Sequence, residues 1–295
     1  MEKLDLLVFG DTAMDYFYEV DRFPKINEAS EVLKAHRFYG GMGANTAVVA
    51  SVLGLKTGLV SVIGSDVEDY VKYMQNLGVG QYFNVVLGDT MKSMFFKSDG
   101  NQVSFFYKGV TEGLENLEPD RKFINNSACI YLARTYLKLQ EKVAKLCKNK
   151  FVVYNPGYGV FKFEKIPPQF YRVLKKTKVF ILNTHELDHL HELGFRMDFK
   201  QGPEVFIVTK GKDGCLLYTR NTNISISSYR TKVVDTSGAG DAFNAGFIAG
   251  YVKGHDFVEA AKIGNAAASF VIEKWGCQSN LPTWANVLER CHKIQ

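Results

Sequence analysis

The chain has 295 residues, 46% of them hydrophobic and 13% aromatic, and 36 Lys and Arg against 31 Asp and Glu give a net charge of +5. That composition supports a large core and excludes disorder as the main state. No run reaches the roughly 18 apolar residues needed to cross a bilayer, so no membrane association is expected.

The five cysteines (Cys129, Cys147, Cys215, Cys277 and Cys291) are widely spaced and form no C-x-x-C pair. They predict neither a disulfide framework nor a cysteine zinc site, and a reduced, cytoplasmic setting is expected. The basic residues are scattered, which gives no footprint for nucleic acid and suits a small anionic ligand.

In chain order, residues 4–9 read as a buried strand ending at Gly10-Asp11, because neither face alternates with polar residues. Residues 14–39 mix aromatic and charged side chains around Pro24, which predicts exposed strands joined by a turn. Gly40-Gly41-Met42-Gly43 then opens a helix over 44–53, followed by a strand at 59–63 and a helix over 67–77 closed by Gly78. Segments 93–97 and 103–107 flank Asp99-Gly100, a hairpin signal. Short β-branched and aromatic runs at 128–132, 151–154, 179–182 and 205–208 alternate with helical stretches. Such alternation predicts a single α/β domain over 1–295, with a doubly wound, mostly parallel sheet flanked by helices. The early segments, about 12–39 and 92–109, fall outside it and are assigned to a small β-sheet that covers the core as a lid.

The most specific segment is Asp235-Thr236-Ser237-Gly238-Ala239-Gly240-Asp241. A glycine turn running into a helix points backbone N–H groups outward beside a helix dipole, which suits a phosphate, and Asp241 in the first turn can take a proton from an attacking hydroxyl. The same segment also reads as a glycine turn with an acid at a helix start. Asn45, in the first turn after Gly40-Gly41, joins Asp11 and Asp15 as donors and acceptors for hydroxyl groups, although those glycines also suit a plain strand end. Thr209-Lys210-Gly211-Lys212-Asp213-Gly214 follows a buried strand where a nucleotide can sit, and is equally the pattern of an ordinary turn. Neither a Walker A motif nor a complete G-x-G-x-x-G is present. His185-Glu186-Leu187-Asp188-His189 matches H-E-x-x-H, but no third ligand follows; Asn183 and Glu186 read better as holders of the water shell of Mg²⁺.

Taken in this order, the segments resemble the ribokinase-like (PfkB) carbohydrate kinases over essentially the whole chain. The opening 10–16 and the close 276–284 look most like the family's archaeal nucleoside kinases. The resemblance implies Asp241 as catalytic base and Gly238, Ala239 and Gly240 as the anion hole. It implies Asp15, Gly41 and Asn45 as ribose contacts and Asn183, Thr209, Gly211, Gly214 and Thr236 on the nucleotide. Mg²⁺ would be held through water by Asn183 and Glu186, and the family's monovalent-cation (K⁺) site maps to Asp235, Gly276 and Asn280. Two departures stand out: Asn155 replaces a usual acid, and Ser237 a commoner threonine. The implied activity is transfer of the γ-phosphoryl group of ATP to the 5′-hydroxyl of a nucleoside of inosine, guanosine, cytidine or adenosine type, with a homodimer formed through the lid. Alternatives are a sugar or sugar-phosphate kinase, a nucleotide-binding regulator without catalysis and, remotely, a zinc hydrolase. The lid aromatics Phe17, Phe38, Tyr39, Phe95, Phe96, Phe105 and Phe106 are expected to offer some rings to a base, while Arg22, Arg37, Lys92, Lys97 and Lys108 are expected in solvent.

Overall fold

The computed structural model describes residues 3–292. Its elements run β1 (Leu4–Phe9), β2 (Ala13–Val20), β3 (Val32–Gly40), α1 (Met42–Val52), β4 (Thr57–Gly64), α2 (Glu68–Asn76), β5 (Gly80–Val86), β6 (Met91–Ser98), β7 (Asn101–Tyr107) and α3 (Arg121–Asn125). They continue with β8 (Ser127–Ala133), α4 (Leu137–Leu146), β9 (Phe151–Asn155), α5 (Pro168–Leu174), β10 (Val179–Asn183), α6 (Thr184–Glu192), β11 (Val205–Thr209), β12 (Cys215–Tyr218), β13 (Asn223–Ile226), α7 (Ala239–Val252), α8 (Phe257–Val271) and α9 (Trp284–His292).

The large sheet has the order β13-β12-β11-β10-β9-β8-β1-β4-β5. Pairing is parallel from β11 to β5, and the β12–β13 hairpin closes one edge antiparallel. The central strands are buried on both faces, which is why their sequences are apolar without alternation. Chain order reverses between β1 and β8, so a crevice opens at the carboxyl ends of these two strands. On one face α7 packs closely on α8: a Cβ on Gly246 would lie 2.8 Å from the Ala267 side chain, and one on Gly250 would lie 3.0 Å from the Ala260 backbone. The small residues Gly246 and Gly250 thus let α7 approach α8 closely.

The small sheet, β3-β2-β6-β7, is mixed, with β2 and β6 parallel. Residues 14–39 are not uniformly exposed as expected. β2 is largely buried, with Phe17 enclosed by Phe38, Phe95 and Trp275, while the 21–31 connection and most of β3 at the sheet edge are open to solvent. β5 and β13 lacked a sequence signal because each mixes polar residues into its run, and β12, although apolar, is only 4 residues long.

Candidate functional site

The glycines before α1 are there for clearance. A Cβ on Gly43 would fall 2.6 Å from the Gly10 carbonyl carbon, and Gly41 has φ 97°, so α1 abuts the end of β1 and the Ala44 N–H reaches the Asp11 carbonyl. This contact sets Asn45 in the first turn, facing α7. Across the crevice Gly238 is left-handed (φ 75°), and a Cβ there would strike Cys277 at 2.7 Å. The turn it makes starts α7 without any side-chain cap. The Ala239 N–H bends back to the Thr236 carbonyl at 3.3 Å, while the N–H groups of Gly240 and Asp241 take no acceptor among the described residues. A Cβ on Gly240 would meet nothing within 4 Å. An open, uncapped helix start beside empty space has the chemistry to receive an anion.

Asp241 is buried at this spot, and the Asn45 amide donates to its Oδ2 at 2.8 Å. Burial pushes its carboxyl up to about 8; the Asn45 hydrogen bond pulls it back, and Asp11, Asp15 and Glu186 add repulsion. Asp15 is pushed up to about 6 by burial, against hydrogen bonds from Ser93 and Cys277.

At the start of α6, Asn183 Oδ1 accepts the Glu186 N–H at 2.9 Å and Glu186 Oε2 accepts the Asn183 N–H at 3.0 Å, a reciprocal capping box. The box uses one oxygen of each side chain. Burial moves the Glu186 carboxyl up to about 7, so it lacks a compensating cation. Asn244 Oδ1, one turn along α7 from Asp241, is buried without a donor among the described residues. Oxygen donors of this kind suit a hard divalent cation, so Glu186, Asn183 and Asn244 fit Mg²⁺. The H-E-x-x-H reading fails on the same helix: Glu186 turns inward to its cap while His185 is exposed, and no group of three or more His, Cys, Asp or Glu side chains placed to hold a metal occurs among the described residues.

Two clefts meet at Asp241. One, of about 170 Å³, is lined by Asn155, Asn183, Glu186, Thr209, Gly240 and Asn244; the other, of about 250 Å³, by Asp11, Asp15, Gly41, Asn45, Ser93, Phe95, Phe106 and Arg134. Met42, Tyr158, Gly238 and Asp241 line both. Phe95 and Phe106 are thus the lid rings on the crevice, whereas Phe96 packs with Tyr18 and Phe105, and Tyr39 stacks on Tyr70. Gly211, Gly214 and Thr236 do not line either cleft; Gly214 takes φ 83° beside the Ile226 and Ser228 backbone, a role in the chain turn itself. Asn155, the departure from an acid, donates to the Ile181 carbonyl at 2.7 Å and so ties β9 to β10.

Besides Asn244, three further side chains escaped sequence reasoning. Arg134 follows β8, has φ 64°, and donates to Asp11 Oδ2 at 2.5 Å, so Asp11 is committed to Arg134 and to the Gly43 N–H and is less free to hold a hydroxyl than expected. Cys277 faces Asp15 Oδ2 at 3.7 Å. Gln278 donates to Asn45 Oδ1 at 2.8 Å and to the Tyr70 hydroxyl at 2.6 Å, orienting the amide that holds Asp241. The one usable signal was position: Arg134 stands at the carboxyl end of a central strand, where ligands collect.

Asp235, Gly276 and Asn280 do not form a cation cage. Asp235 Oδ2 accepts the Gly276 N–H at 3.1 Å, Oδ1 accepts both the N–H and hydroxyl of Ser237, and Lys97 Nζ lies 3.7 Å from Oδ1. Asn280 turns its amide nitrogen to the Phe270 carbonyl and Glu273. Lys97 is therefore not the solvated residue expected.

The geometry agrees with the comparisons. The family model described as pfkB family carbohydrate kinase matches residues 3–284. A nucleoside kinase of Methanocaldococcus jannaschii is 34% identical, over 99% of this chain and 98% of its own. The crystal structure of the Methanocaldococcus jannaschii nucleoside kinase superposes with a TM-score of 0.91 at 33% identity, covering 100% of both chains. A nucleoside kinase of Methanothermobacter thermautotrophicus is 30% identical over 98% of this chain and 96% of its own. A Burkholderia thailandensis nucleoside kinase in complex with inosine shares the fold (TM-score 0.87, 22% identity, 97% of each chain). With an uncapped glycine turn, a buried aspartate between two clefts and a family match across nearly its whole length, the chain belongs to the pfkB family of carbohydrate kinases and is a phosphotransferase of that family.

Proposed function

We propose that this kinase transfers the γ-phosphoryl group of ATP to the 5′-hydroxyl of a nucleoside. The observation that carries the reading is the placement of Asp241 on the boundary of two clefts, beside uncapped N–H groups. The donor nucleotide enters the cleft lined by Thr209, Asn183 and Asn244, with its phosphates on the Gly240 and Asp241 amides. The acceptor enters the cleft of Asp15, Gly41 and Asn45, with Phe95 and Phe106 against its base. Asp241 accepts the hydroxyl proton as the hydroxyl attacks, and the α7 amides stabilise charge on the transferring oxygens. Asn45, fixed by Gln278, holds Asp241 toward that hydroxyl. When bound, Mg²⁺ would neutralise phosphate charge; Glu186, Asn183 and Asn244 are the residues to hold it.

A nucleoside fits the acceptor cleft better than a sugar phosphate. The one cationic side chain that lines it is Arg134, already paired with Asp11, whereas a second phosphate calls for a basic cluster. Two aromatic rings supply stacking of roughly 1–3 kcal/mol per base. Labelled ATP offered with inosine, guanosine, cytidine, adenosine, ribose and fructose 6-phosphate tests this. The expected ranking puts at least one nucleoside first in kcat/KM; ribose or fructose 6-phosphate ahead of all four would overturn the nucleoside reading and leave the kinase.

A further inference from the structure

Asp235 closes the anion turn onto the 276–278 loop: it holds the N–H groups of Ser237 and Gly276, and the residues next to these, Gly238 and Cys277, are in contact. Its side chain is only 3% exposed. A carboxylate that dry needs a positive partner. Its Oδ1 accepts the Ser237 N–H and hydroxyl, its Oδ2 accepts the Gly276 N–H, and the Lys97 ammonium, 3.7 Å from Oδ1, is the cation that stands beside it. Two aromatic rings fix Lys97 beside it: Nζ lies 4.3 Å from the Trp275 ring centroid and 5.3 Å from that of Phe17, a position that holds the charge with little water around it. Lys97 comes from β6, in the small sheet that covers the acceptor cleft, so one ion pair ties that sheet to the anion turn.

We propose that Lys97 is the built-in counter-ion of Asp235, a positioning residue for the anion turn, and that phosphoryl transfer by this chain runs without the monovalent cation that the family pattern implies. Lys97 does not touch the reacting atoms; it gives the buried Asp235 carboxyl a positive neighbour and so keeps the Gly238 turn in shape. The proposal rests on the kinase reading for its catalytic part and on the ion pair alone for its structural part.

The test compares wild type, Lys97→Ala and Lys97→Arg in choline, sodium and potassium chloride at equal ionic strength, by kinase rate with ATP, Mg²⁺ and the best nucleoside, and by thermal melting without substrates. Wild type is expected to change rate by less than about two-fold among the salts and to melt at one temperature, because its counter-charge is covalent. Lys97→Ala, which leaves room for an ion, is expected to lose roughly ten-fold or more in choline and to melt about 5 °C lower, with potassium recovering both; Lys97→Arg should keep the wild-type behaviour. Potassium activation of wild type beyond about two-fold, an alanine variant indistinguishable from wild type in choline, or a loss that potassium leaves untouched would each overturn the proposal. If wild type phosphorylates none of the acceptors, the kinase reading fails and the melting series alone decides the role of Lys97.

Discussion

Two helix starts face the same crevice and treat their orphan N–H groups in opposite ways. α6 satisfies its own: Asn183 and Glu186 exchange side-chain and backbone bonds, so the helix end is closed and Glu186 becomes a rigid mount for its remaining oxygen. α7 has no capping side chain, a glycine at its cap, and two N–H groups open beside the space next to Gly240. One end presents negative charge and the other attracts it. That contrast suits a reaction that needs a cation holder and an anion cradle within one crevice, with Asp241 as the acid group at the open end.

The largest effect should come from Asp241. Asp241→Asn keeps the Asn45 contact in shape but removes the base, and kcat should fall roughly 10²- to 10⁴-fold with far-UV dichroism and ATP binding retained. Near-normal turnover would remove Asp241 from the mechanism. The same variant tests the raised pKa of about 8. A base must be ionised, so kcat/KM of the wild type should climb with pH towards about 8 and then level, and the asparagine variant should lose that limb. Stability runs the other way. The folded state keeps a proton that the unfolded carboxyl releases near its ordinary value, so the Asp241 contribution to stability is complete below that value and is lost as pH rises from there through about 8. Asp241→Asn should flatten that decline in melting curves.

Next in size is Gly240→Ala. A Cβ there strikes no protein atom, so folding should be intact, yet it projects into the space beside the open amides. A loss of roughly 10- to 100-fold in kcat/KM for ATP, with an unchanged melting temperature, is expected. Equal activity would mean that the phosphates do not sit at this helix end. Gly238→Ala is the control that separates space from fold, since it clashes with Cys277 at a positive φ and should destabilise the protein as well.

The central strands were legible because burial on both faces forces runs such as Leu6-Leu7-Val8-Phe9 to be apolar throughout. The anion turn was legible because its chemistry is local: Gly238, Gly240 and Asp241 lie within one turn of chain. Arg134, Cys277 and Gln278 were not, since each gains meaning only from partners far away in sequence, Asp11, Asp15 and Asn45. Lys97 misleads for a related reason: a lysine on an alternating strand reads as solvated until the Trp275 ring and Asp235 are brought beneath it. Gly214 shows a motif glycine whose positive φ serves the turn between β11 and β12.

The smallest effects should come from the closed helix end, and there the two functions of one residue pair can be separated. Glu186→Gln still offers an amide oxygen to the Asn183 N–H, because glutamine also serves in a capping box, but it brings no charge. It should leave the melting temperature near wild type, raise the Mg²⁺ concentration needed for half-maximal rate, and cut kcat by about ten-fold at fixed Mg²⁺. Asn183→Ala does the opposite first: it removes the acceptor for the Glu186 N–H, which costs about 1 kcal/mol of stability, a shift of about 2 °C in a chain of this size. Its effect on Mg²⁺ demand should be the smaller of the two, because the Glu186 carboxylate remains. If Glu186→Gln instead lowers the melting temperature as much as Asn183→Ala and leaves Mg²⁺ demand unchanged, Glu186 is a cap and nothing more, and both helix starts would then serve the fold, with only α7 serving the reaction.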